Sequence, residues 1–460
     1  MHVHVLGVGA IGTLIAAHVR AMVRQRSMAA TASSVPSWRF SRVPMFVVPQ
    51  HVAPFWPDAT TTTVTLHMRD RMYDRAKEPR KPGASVTVER DGARLTETGF
   101  HVELTSPADP SQPRYLAPDA HGVLQDQPGT PPLPIDSLIV TTKADATYAA
   151  LAPLAPRITP ATTIVLLQNG MGVLDMLLER IWQHPDSRPH FVLASATHGC
   201  YVKRPLHTVH AGFGSMHLGL VPSAMAPRAE TDASLERPLP PVTNATQPEL
   251  DLAAIPDAPY TRSVRETLAL LLSLPLDVHW EPIRAFQLRA LRKLIINACI
   301  NPTTALADCK NGDLFGAPNA LDLFRALCTE ASQVLEAHAR DAKAAQASRE
   351  TDAAHLSTLP LADLLTQTDA DGLPLLDTSL KPASMLHEVE NVVRATAANW
   401  SSMHQDVYQR RGRTEIDFMN GYLSELGRAY GIPTPTHDMM TNLIKLKTQR
   451  ATGSWRTRAM

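Results

Sequence analysis

A lysine and two asparagines recur at every fourth position of an otherwise apolar segment, residues 289–301. They are Lys293, Asn297 and Asn301, and Pro302 follows the segment. As a helix, the segment would be apolar almost all the way round and therefore buried, with the three polar side chains on one face. A buried ammonium is costly unless it is paired or faces a polar cleft. The pattern predicts the wall of an active site with Lys293 as general acid, and a self-satisfied buried polar network is the alternative.

A glycine motif near the start of the chain matches the pattern G-x-G-x-x-G. Its residues are Gly7, Val8, Gly9, Ala10, Ile11 and Gly12. A strand pattern precedes it and a helix pattern follows, so the N-terminus of the helix could bind phosphate groups. The motif therefore predicts dinucleotide binding, and a purely structural tight turn is the alternative.

The end of the second predicted strand bears on which dinucleotide binds. Arg69, Asp70 and Arg71 stand there. A carboxylate at this place accepts the ribose hydroxyls of NAD, whereas an arginine accommodates the 2′-phosphate of NADP. Two guanidiniums around one acid favour NADP. Asp70 leaves NAD open, and a solvated strand end with ordinary ion pairs is the alternative to any nucleotide contact.

Two more polar residues follow apolar strand patterns. Lys143 follows one such strand, and Asn169, with Gly170 beside it, follows the next. Ligands of parallel sheets gather at the carboxyl ends of the strands, and a neighbouring glycine permits close approach. Both residues are therefore candidate ligand contacts. The alternatives are a surface lysine and a turn asparagine bonded to its own backbone.

Near the C-terminus, Glu415 lies early in an amphipathic helix pattern with apolar neighbours, and Ser402 lies at a possible helix end. An apolar setting would lower the pKa of Lys293, while a nearby Glu415 would raise it, and the sequence leaves the balance open. Glu415 could instead complement a helix dipole, with Thr414 as the cap. Ser402 could cap a helix end.

Composition excludes several classes of protein. The 460 residues include 44 Lys+Arg and 44 Asp+Glu, so no net charge would attract nucleic acid or a membrane surface. No apolar run reaches the roughly 20 residues of a membrane span, and a strand pattern from residue 2 leaves no room for a signal or transit peptide. Four cysteines without a CxxC pair, and the lack of an HExxH motif, predict neither a disulfide framework nor a metal site. We expect a soluble, intracellular protein, cytoplasmic rather than mitochondrial.

Strand and helix patterns alternate over the first half of the chain. They predict an α/β Rossmann-type domain with a doubly wound parallel sheet over residues 1–221, with insertions at about 25–60 and 70–134. Asp91-Gly92 predicts a hairpin, and 106–134 reads as a Pro-rich loop. A Pro/Ala-rich linker or insertion over 222–261 would lead to an all-α catalytic domain over 262–460, with a loop insertion at about 346–382.

In the order and spacing of its motifs, the chain resembles the ketopantoate reductase family. The matching blocks are the glycine motif, Lys143, Asn169–Gly172, Lys293–Ala305, Asn399–Asp406, Arg413–Gly421 and Gly431–Pro435. The resemblance implies NADPH-dependent reduction of 2-dehydropantoate (ketopantoate) to (R)-pantoate, in pantothenate and coenzyme A biosynthesis. It also implies a Rossmann domain, a helical domain similar to the C-terminal domain of 6-phosphogluconate dehydrogenase, and an active site in the cleft between them.

The resemblance also assigns roles to residues. It makes Lys293 the catalytic acid and Glu415 an active-site carboxylate, and it implies substrate binding by Asn297, Asn301 and Ser402. It places Lys143 and Asn169 near the nicotinamide and Arg69 against the 2′-phosphate, with Gly7, Gly9, Ala10, Ile11 and Gly12 on the pyrophosphate. Two alternatives remain: a reductase of another 2-oxo acid, and a non-catalytic NADP(H)-binding regulator, which the long insertions motivate. The protein could form a homodimer.

Overall fold

The structure is a computed structural model, and it divides the chain into two compact units. It describes residues 1–31, 48–76, 84–105, 113–119, 121–222, 251–348, 365–368, 374–409 and 412–452. The first unit contains Met1–Thr142, Ala146–Gln168 and Arg180–Ile283, and the second contains Lys143–Asp145, Asn169–Glu179 and Arg284–Met460.

The first unit is built on a ten-stranded sheet and a smaller four-stranded sheet. The strands are β1 (His2–Leu6), β2 (Thr63–Arg69), β3 (Val86–Arg90), β4 (Ala93–Glu97), β5 (His101–Thr105), β6 (Arg114–Pro118), β7 (Leu124–Asp126), β8 (Ser137–Val140), β9 (Thr163–Leu166), β10 (His190–Ala196), β11 (Gly199–Arg204), β12 (His207–Gly212), β13 (Met216–Leu220) and β14 (Val278–Glu281). The large sheet has the order β14-β13-β10-β9-β8-β1-β2-β5-β6-β7, and the small one has the order β11-β12-β3-β4.

The six central strands of the large sheet, β10-β9-β8-β1-β2-β5, are all parallel to one another. Chain order reverses between β1 and β8, which is the switch point where nucleotides bind in doubly wound sheets. The predicted Rossmann-type fold is therefore confirmed. Antiparallel pairing of β6, β7 and β13 extends this parallel core at its two sides.

Helices of the first unit cover its sheet with apolar side chains. They are Ala10–Thr31, Asp70–Ala76 and Arg262–Leu272, while Ala144–Leu151 and Val173–Arg180 are divided between the two units. In the first of these, Leu14, Ile15 and Met22 are fully buried in the same core as Val3 and Val5 of β1. Each such side chain stabilises the fold by about 1.5–3 kcal/mol relative to an exposed one. This burial holds the helix that follows the glycine motif against the sheet.

Several predicted boundaries of the first unit need correction. The hairpin at Asp91-Gly92 is confirmed, because both residues have positive φ (48° and 76°) between β3 and β4. The segment 106–134 is not all loop, since β6 and β7 lie in it, while 106–112 and 120 fall outside the described residues. The first helix extends past the predicted residue 24 into the proposed insertion at 25–60, of which 32–47 fall outside the described residues.

The domain boundary also differs from the prediction. The sequence predicts it between about 221 and 262, but the helix Arg262–Leu272 and strand β14 belong to the first unit, and the second unit resumes at Arg284. The reason is strand pairing: β14 pairs in parallel with β13, at the edge of the large sheet. A four-residue edge strand carries too weak a sequence pattern to reveal this pairing. Residues 223–250 of the predicted linker lie outside the described residues.

The second unit is helical over nearly all of its described residues. Its main helices are Ile283–Ala307, Pro318–Ser348, Pro382–Ala395, Ser402–Tyr408, Asn420–Ala429 and Pro435–Thr452, the first of which begins at the unit boundary. The predicted all-α character is wrong in one detail: Leu365–Thr368 (β15) and Pro374–Leu376 (β16) form an antiparallel hairpin where a loop insertion was expected. Residues 349–364 and 369–373 of that insertion fall outside the described part. No described helix has the length and apolar character that a membrane span needs.

Candidate active site in the helical unit

Lys293, Asn297 and Asn301 lie along one face of the helix Ile283–Ala307. Lys293 and Asn297 are partly exposed and Asn301 is buried, whereas most of the other residues around them are fully buried apolar side chains. Burial lowers the pKa of the Lys293 ammonium to about 8, and the negative charge of Glu415 opposes that change. The sequence left this balance open, and in the structure burial outweighs the carboxylate. A lysine with a pKa near 8 can give up a proton at neutral pH far more readily than an ordinary lysine.

The Glu415 carboxylate is buried, and it faces other parts of the second unit. Its Oε1 accepts a hydrogen bond from the Ala144 main-chain N–H (3.3 Å), and its Oε2 accepts one from Asn169 Nδ2 (3.5 Å). Glu415 directly precedes the short 3-10 helix Ile416–Phe418, but its side chain does not cap that helix. The contacts of Glu415 therefore do not support the alternative, in which its carboxylate complements the dipole of its own helix. Burial raises the pKa of Glu415, and the Lys143 ammonium counteracts this.

Lys143 forms an ion pair with Asp406, whose side chain is buried. The Lys143 side chain is only 30% exposed, so it is not the surface lysine of the alternative prediction. Asp406 lies in one of the sequence blocks noted above, but we assigned it no role. It is separated from Lys143 by 263 positions, and no local pattern in the sequence could connect the two residues.

The segment that contains Asn169 and Gly170 packs against the turn that carries Glu415. Gly170 has a φ of +88°, and a Cβ on it would lie 2.3 Å from the main-chain oxygen of Phe418. The next residue, Met171, donates its N–H to that same oxygen at 2.9 Å. A side chain at position 170 would therefore push the two segments apart and break the contact between Asn169 and Glu415.

Ser402 is exposed at the first position of the helix Ser402–Tyr408. The residue that caps this helix is its neighbour Ser401, whose hydroxyl accepts the His404 N–H and a hydrogen bond from Thr304 Oγ1 (2.7 Å). Ser402 therefore does not take up the capping role, and substrate binding by Ser402 stays a prediction.

In the first unit, the glycine motif forms the predicted turn between β1 and the helix Ala10–Thr31. Gly7 has a φ of +98°, and a Cβ on Gly12 would lie 2.0 Å from the Gly7 carbonyl oxygen, so both positions require glycine for the fold itself. A Cβ on Gly9, in contrast, would have no described atom within 4 Å apart from those of its two neighbours in the chain. No packing contact explains a glycine there, and close approach of a bound phosphate would. The residues therefore fit a dinucleotide pyrophosphate at the N-terminus of the helix.

The arginines that bear on the choice of nucleotide lie at the end of β2. Arg69 is the last residue of the strand and is exposed, and Asp70 begins the helix Asp70–Ala76 with Arg71 exposed beside it. Ala10 and Ile11 lie in the first turn of the helix Ala10–Thr31, which begins within the glycine motif and not after it, at Thr13, as the sequence predicts.

A buried cluster in the first unit has the side-chain types of a metal site. His4, His67 and Glu103 lie on the neighbouring strands β1, β2 and β5, and one ligand atom from each lies within 4.8 Å of the others. Arg157 already binds both oxygens of the Glu103 carboxylate, at 2.6 and 2.9 Å. Burial lowers the pKa of both histidines to about 3, so each is neutral. An ion here would add its charge to that of Arg157, so we assign no metal to this cluster.

Two family models match the chain. "Ketopantoate reductase PanE/ApbA" matches residues 80–223, and "Ketopantoate reductase PanE/ApbA C terminal" matches residues 285–448. The 2-dehydropantoate 2-reductase of Vibrio cholerae serotype O1 is 30% identical over 312 residues, which are 67% of this chain and 77% of that protein. The probable 2-dehydropantoate 2-reductase of Schizosaccharomyces pombe is 27% identical over 68% of this chain and 73% of its own length.

Solved structures share the fold at lower sequence identity. A D-mandelate dehydrogenase in a ternary complex with NADH and anilino(oxo)acetate has a TM-score of 0.58 at 16% identity, covering 98% of this chain and 99% of that chain. The probable 2-dehydropantoate 2-reductase of Bacillus subtilis has a TM-score of 0.53 at 17% identity, covering 97% and 100%. At these identities the similarity shows a common fold.

Proposed function

We propose that this chain, which belongs to the ketopantoate reductase family, reduces 2-dehydropantoate to (R)-pantoate with NADPH. The family makes it an oxidoreductase, and the Vibrio cholerae relative is named for this substrate. The observation that carries the proposal is the polar face of Lys293, Asn297 and Asn301, together with the electrostatic coupling of Lys293 to the buried Glu415. The product would enter pantothenate and coenzyme A biosynthesis.

Lys293 is the proton donor of the proposed reaction. A reduced nicotinamide, when bound, would supply a hydride to the carbonyl carbon of the 2-oxo acid. Negative charge then develops on the carbonyl oxygen, and an ammonium hydrogen-bonded to that oxygen stabilises the charge and donates its proton. Its pKa of about 8 brings this donor close to the working pH.

The other side chains of the site orient the substrate. Burial raises the pKa of Glu415, and Lys143 and the two hydrogen bonds that its carboxylate accepts oppose that change, so a carboxylate oxygen of Glu415 can accept a hydrogen bond from a substrate hydroxyl. Asn297 and Asn301 can donate to the substrate from the helix that carries Lys293. The exposed hydroxyl of Ser402 would donate to the carboxylate of the 2-oxo acid.

The first unit would hold the nucleotide. Gly7, Gly9, Ala10, Ile11 and Gly12 would contact the pyrophosphate, because the N–H groups that begin the helix have no intrahelical acceptors. Arg69 would bind the 2′-phosphate that distinguishes NADP from NAD. Lys143 and Asn169 would lie beside the nicotinamide, each already oriented by a carboxylate, Asp406 or Glu415.

Turnover of defined substrates tests the proposal. NADPH absorbance would be followed with ketopantoate and with a set of other 2-oxo acids, with NADH in parallel. We expect ketopantoate with NADPH to give the highest kcat/KM. Preference for another 2-oxo acid would indicate a different reductase, and no turnover with any of them would favour the non-catalytic regulator.

A variant pair assigns the proton donor. Lys293→Ala should lose most of kcat and still bind NADPH, while Lys203→Ala removes an exposed lysine of the first unit and should keep full activity. Equal activity of Lys293→Ala and the parent would remove the lysine from the mechanism. A cytoplasmic location and a homodimer stay predictions, and size-exclusion chromatography would test the second.

A further inference from the structure

The helix that carries Lys293 contains a proline in its interior. The helix Ile283–Ala307 continues through Pro302, although the sequence suggested an end before it. Proline has no N–H, so the carbonyl oxygen of Ala298, four residues earlier, has no main-chain donor at the usual position. Ala298 lies between Asn297 and Asn301, in the part of the helix that carries the polar face.

The side chain of Asn420 takes the place of the missing donor. Its Nδ2 donates to the Ala298 oxygen at 3.1 Å, and Asn420 is completely buried. The same amide nitrogen lies 3.1 Å from Nδ1 of His437, which is also completely buried. The Nε2–H of His437 donates to the Leu327 oxygen at 3.0 Å, so Nδ1 has no hydrogen and accepts from Asn420. Both amide hydrogens of Asn420 thus have acceptors, and its orientation is fixed.

Asn420 also stands at the end of the turn that begins with Glu415. The 3-10 helix Ile416–Phe418 separates the two residues, and Met171 holds the Phe418 oxygen from the other side at 2.9 Å. The hydrogen bond from Asn420 to Ala298 therefore joins the turn of Glu415 to the helix of Lys293. The negative charge of Glu415, on one of these two segments, raises the pKa of Lys293 on the other.

We propose that Asn420 is a positioning residue, which uses the carbonyl that Pro302 leaves free to set the distance between Glu415 and Lys293. This inference rests on the proposed function, in which these two groups act on the substrate. His437 supports it by holding the amide of Asn420 in place.

Two substitutions separate positioning from simple stabilisation. Asn420→Ala removes the bond, so kcat should fall by about 10²-fold, as for a small displacement of reacting groups, while the Kd for NADPH stays at the parental value. Pro302→Ala restores a main-chain donor for the Ala298 oxygen, which competes with Asn420. We expect this variant to have a Tm at or above that of the parent and a lower kcat, a combination that a purely structural role would not produce.

Ser424→Ala is the matched control, because Ser424 lies in the same helix as Asn420 and is equally buried. Its hydroxyl has no hydrogen-bond partner among the described residues, so its removal should leave kcat and Tm unchanged. Parental kcat in Asn420→Ala, or in Pro302→Ala, would overturn the positioning role.

A second measurement is independent of turnover. The rate at which acetic anhydride acetylates Lys293, followed by mass spectrometry over a range of pH, reports the pKa of this lysine in the full-length protein. Because Glu415 raises that pKa, loosening its turn in Asn420→Ala should move the profile below the parental value of about 8. An unchanged profile would contradict the positioning role. Failure of the proposed function would appear differently, as absence of turnover in the parent.

Discussion

The ammonium of Lys143 is paired with the buried carboxylate of Asp406, across 263 positions of the chain. Each charge of the pair also acts on Glu415: Lys143 lowers the pKa of its carboxyl and Asp406 raises it. The pair therefore has two roles that can be measured separately, one in stability and one in the protonation of the site.

Substitution of Lys143 by Met should destabilise the protein, because it leaves the Asp406 carboxylate buried without its partner. Fully buried pairs lose roughly 3–5 kcal/mol in this way, and we expect about 2 kcal/mol because Lys143 is partly exposed and so partly screened. Urea unfolding measures the loss. The double variant Lys143→Met/Asp406→Leu is the control and should recover much of it, so a double variant that is less stable than either single one would refute this account.

The pH dependence of turnover should follow the protonation of Lys293. Reduction requires the ammonium, so kcat/KM should fall as pH rises through about 8, and oxidation of the hydroxy acid should increase over the same range. Glu415→Gln removes the charge that raises this pKa, so the decline should begin at lower pH, in addition to any loss of rate.

Glu425→Gln is the control for that shift, because it neutralises an exposed carboxylate in the helix Asn420–Ala429. Its pH profile should match the parental one. If Glu415→Gln also leaves the midpoint where it was, then Lys293 is not the group that titrates.

The parallel core of the fold could be predicted because its information is local. Apolar strands, the glycine motif and the helix after it follow one another in the sequence. The outer strands β6, β7 and β14 were missed because three to five residues with mixed polarity give no clear period, and their place depends on pairing with other strands.

In the candidate site, too, the sequence predicts what depends on local spacing and misses what depends on contacts with distant segments. The four-residue spacing of Lys293, Asn297 and Asn301 places them on one face of a helix in any fold. The sequence alone therefore predicts that these three side chains lie together. The partners Asp406 and Asn420 come from remote segments, and the second depends on a carbonyl exposed by Pro302. An interior proline normally signals the end of a helix, and here tertiary hydrogen bonding overrides that signal.

Arg69 should determine the preference for NADPH over NADH. Arg69→Ala would remove one charge-assisted hydrogen bond to the 2′-phosphate. The Kd for NADPH should therefore rise by roughly 10- to 100-fold, while the Kd for NADH changes little. Titration of nucleotide fluorescence gives both Kd values. Arg71→Ala is the matched control two positions away, and if it changes the ratio of the two Kd values more than Arg69→Ala does, the phosphate contact belongs to Arg71.

Two alanine substitutions in the glycine motif should affect different properties, one the stability of the fold and the other the binding of the nucleotide. A Cβ on Gly12 would lie 2.0 Å from the Gly7 oxygen, so Gly12→Ala should lower the Tm before any ligand is added. A Cβ on Gly9 would meet no described atom, so Gly9→Ala should keep the parental Tm and weaken nucleotide binding, because the methyl group would occupy the space that a phosphate needs. Thermal unfolding with and without NADPH measures both effects. If Gly9→Ala binds NADPH as tightly as the parent, the pyrophosphate does not approach the backbone at this position, and the glycine motif would be only a structural turn.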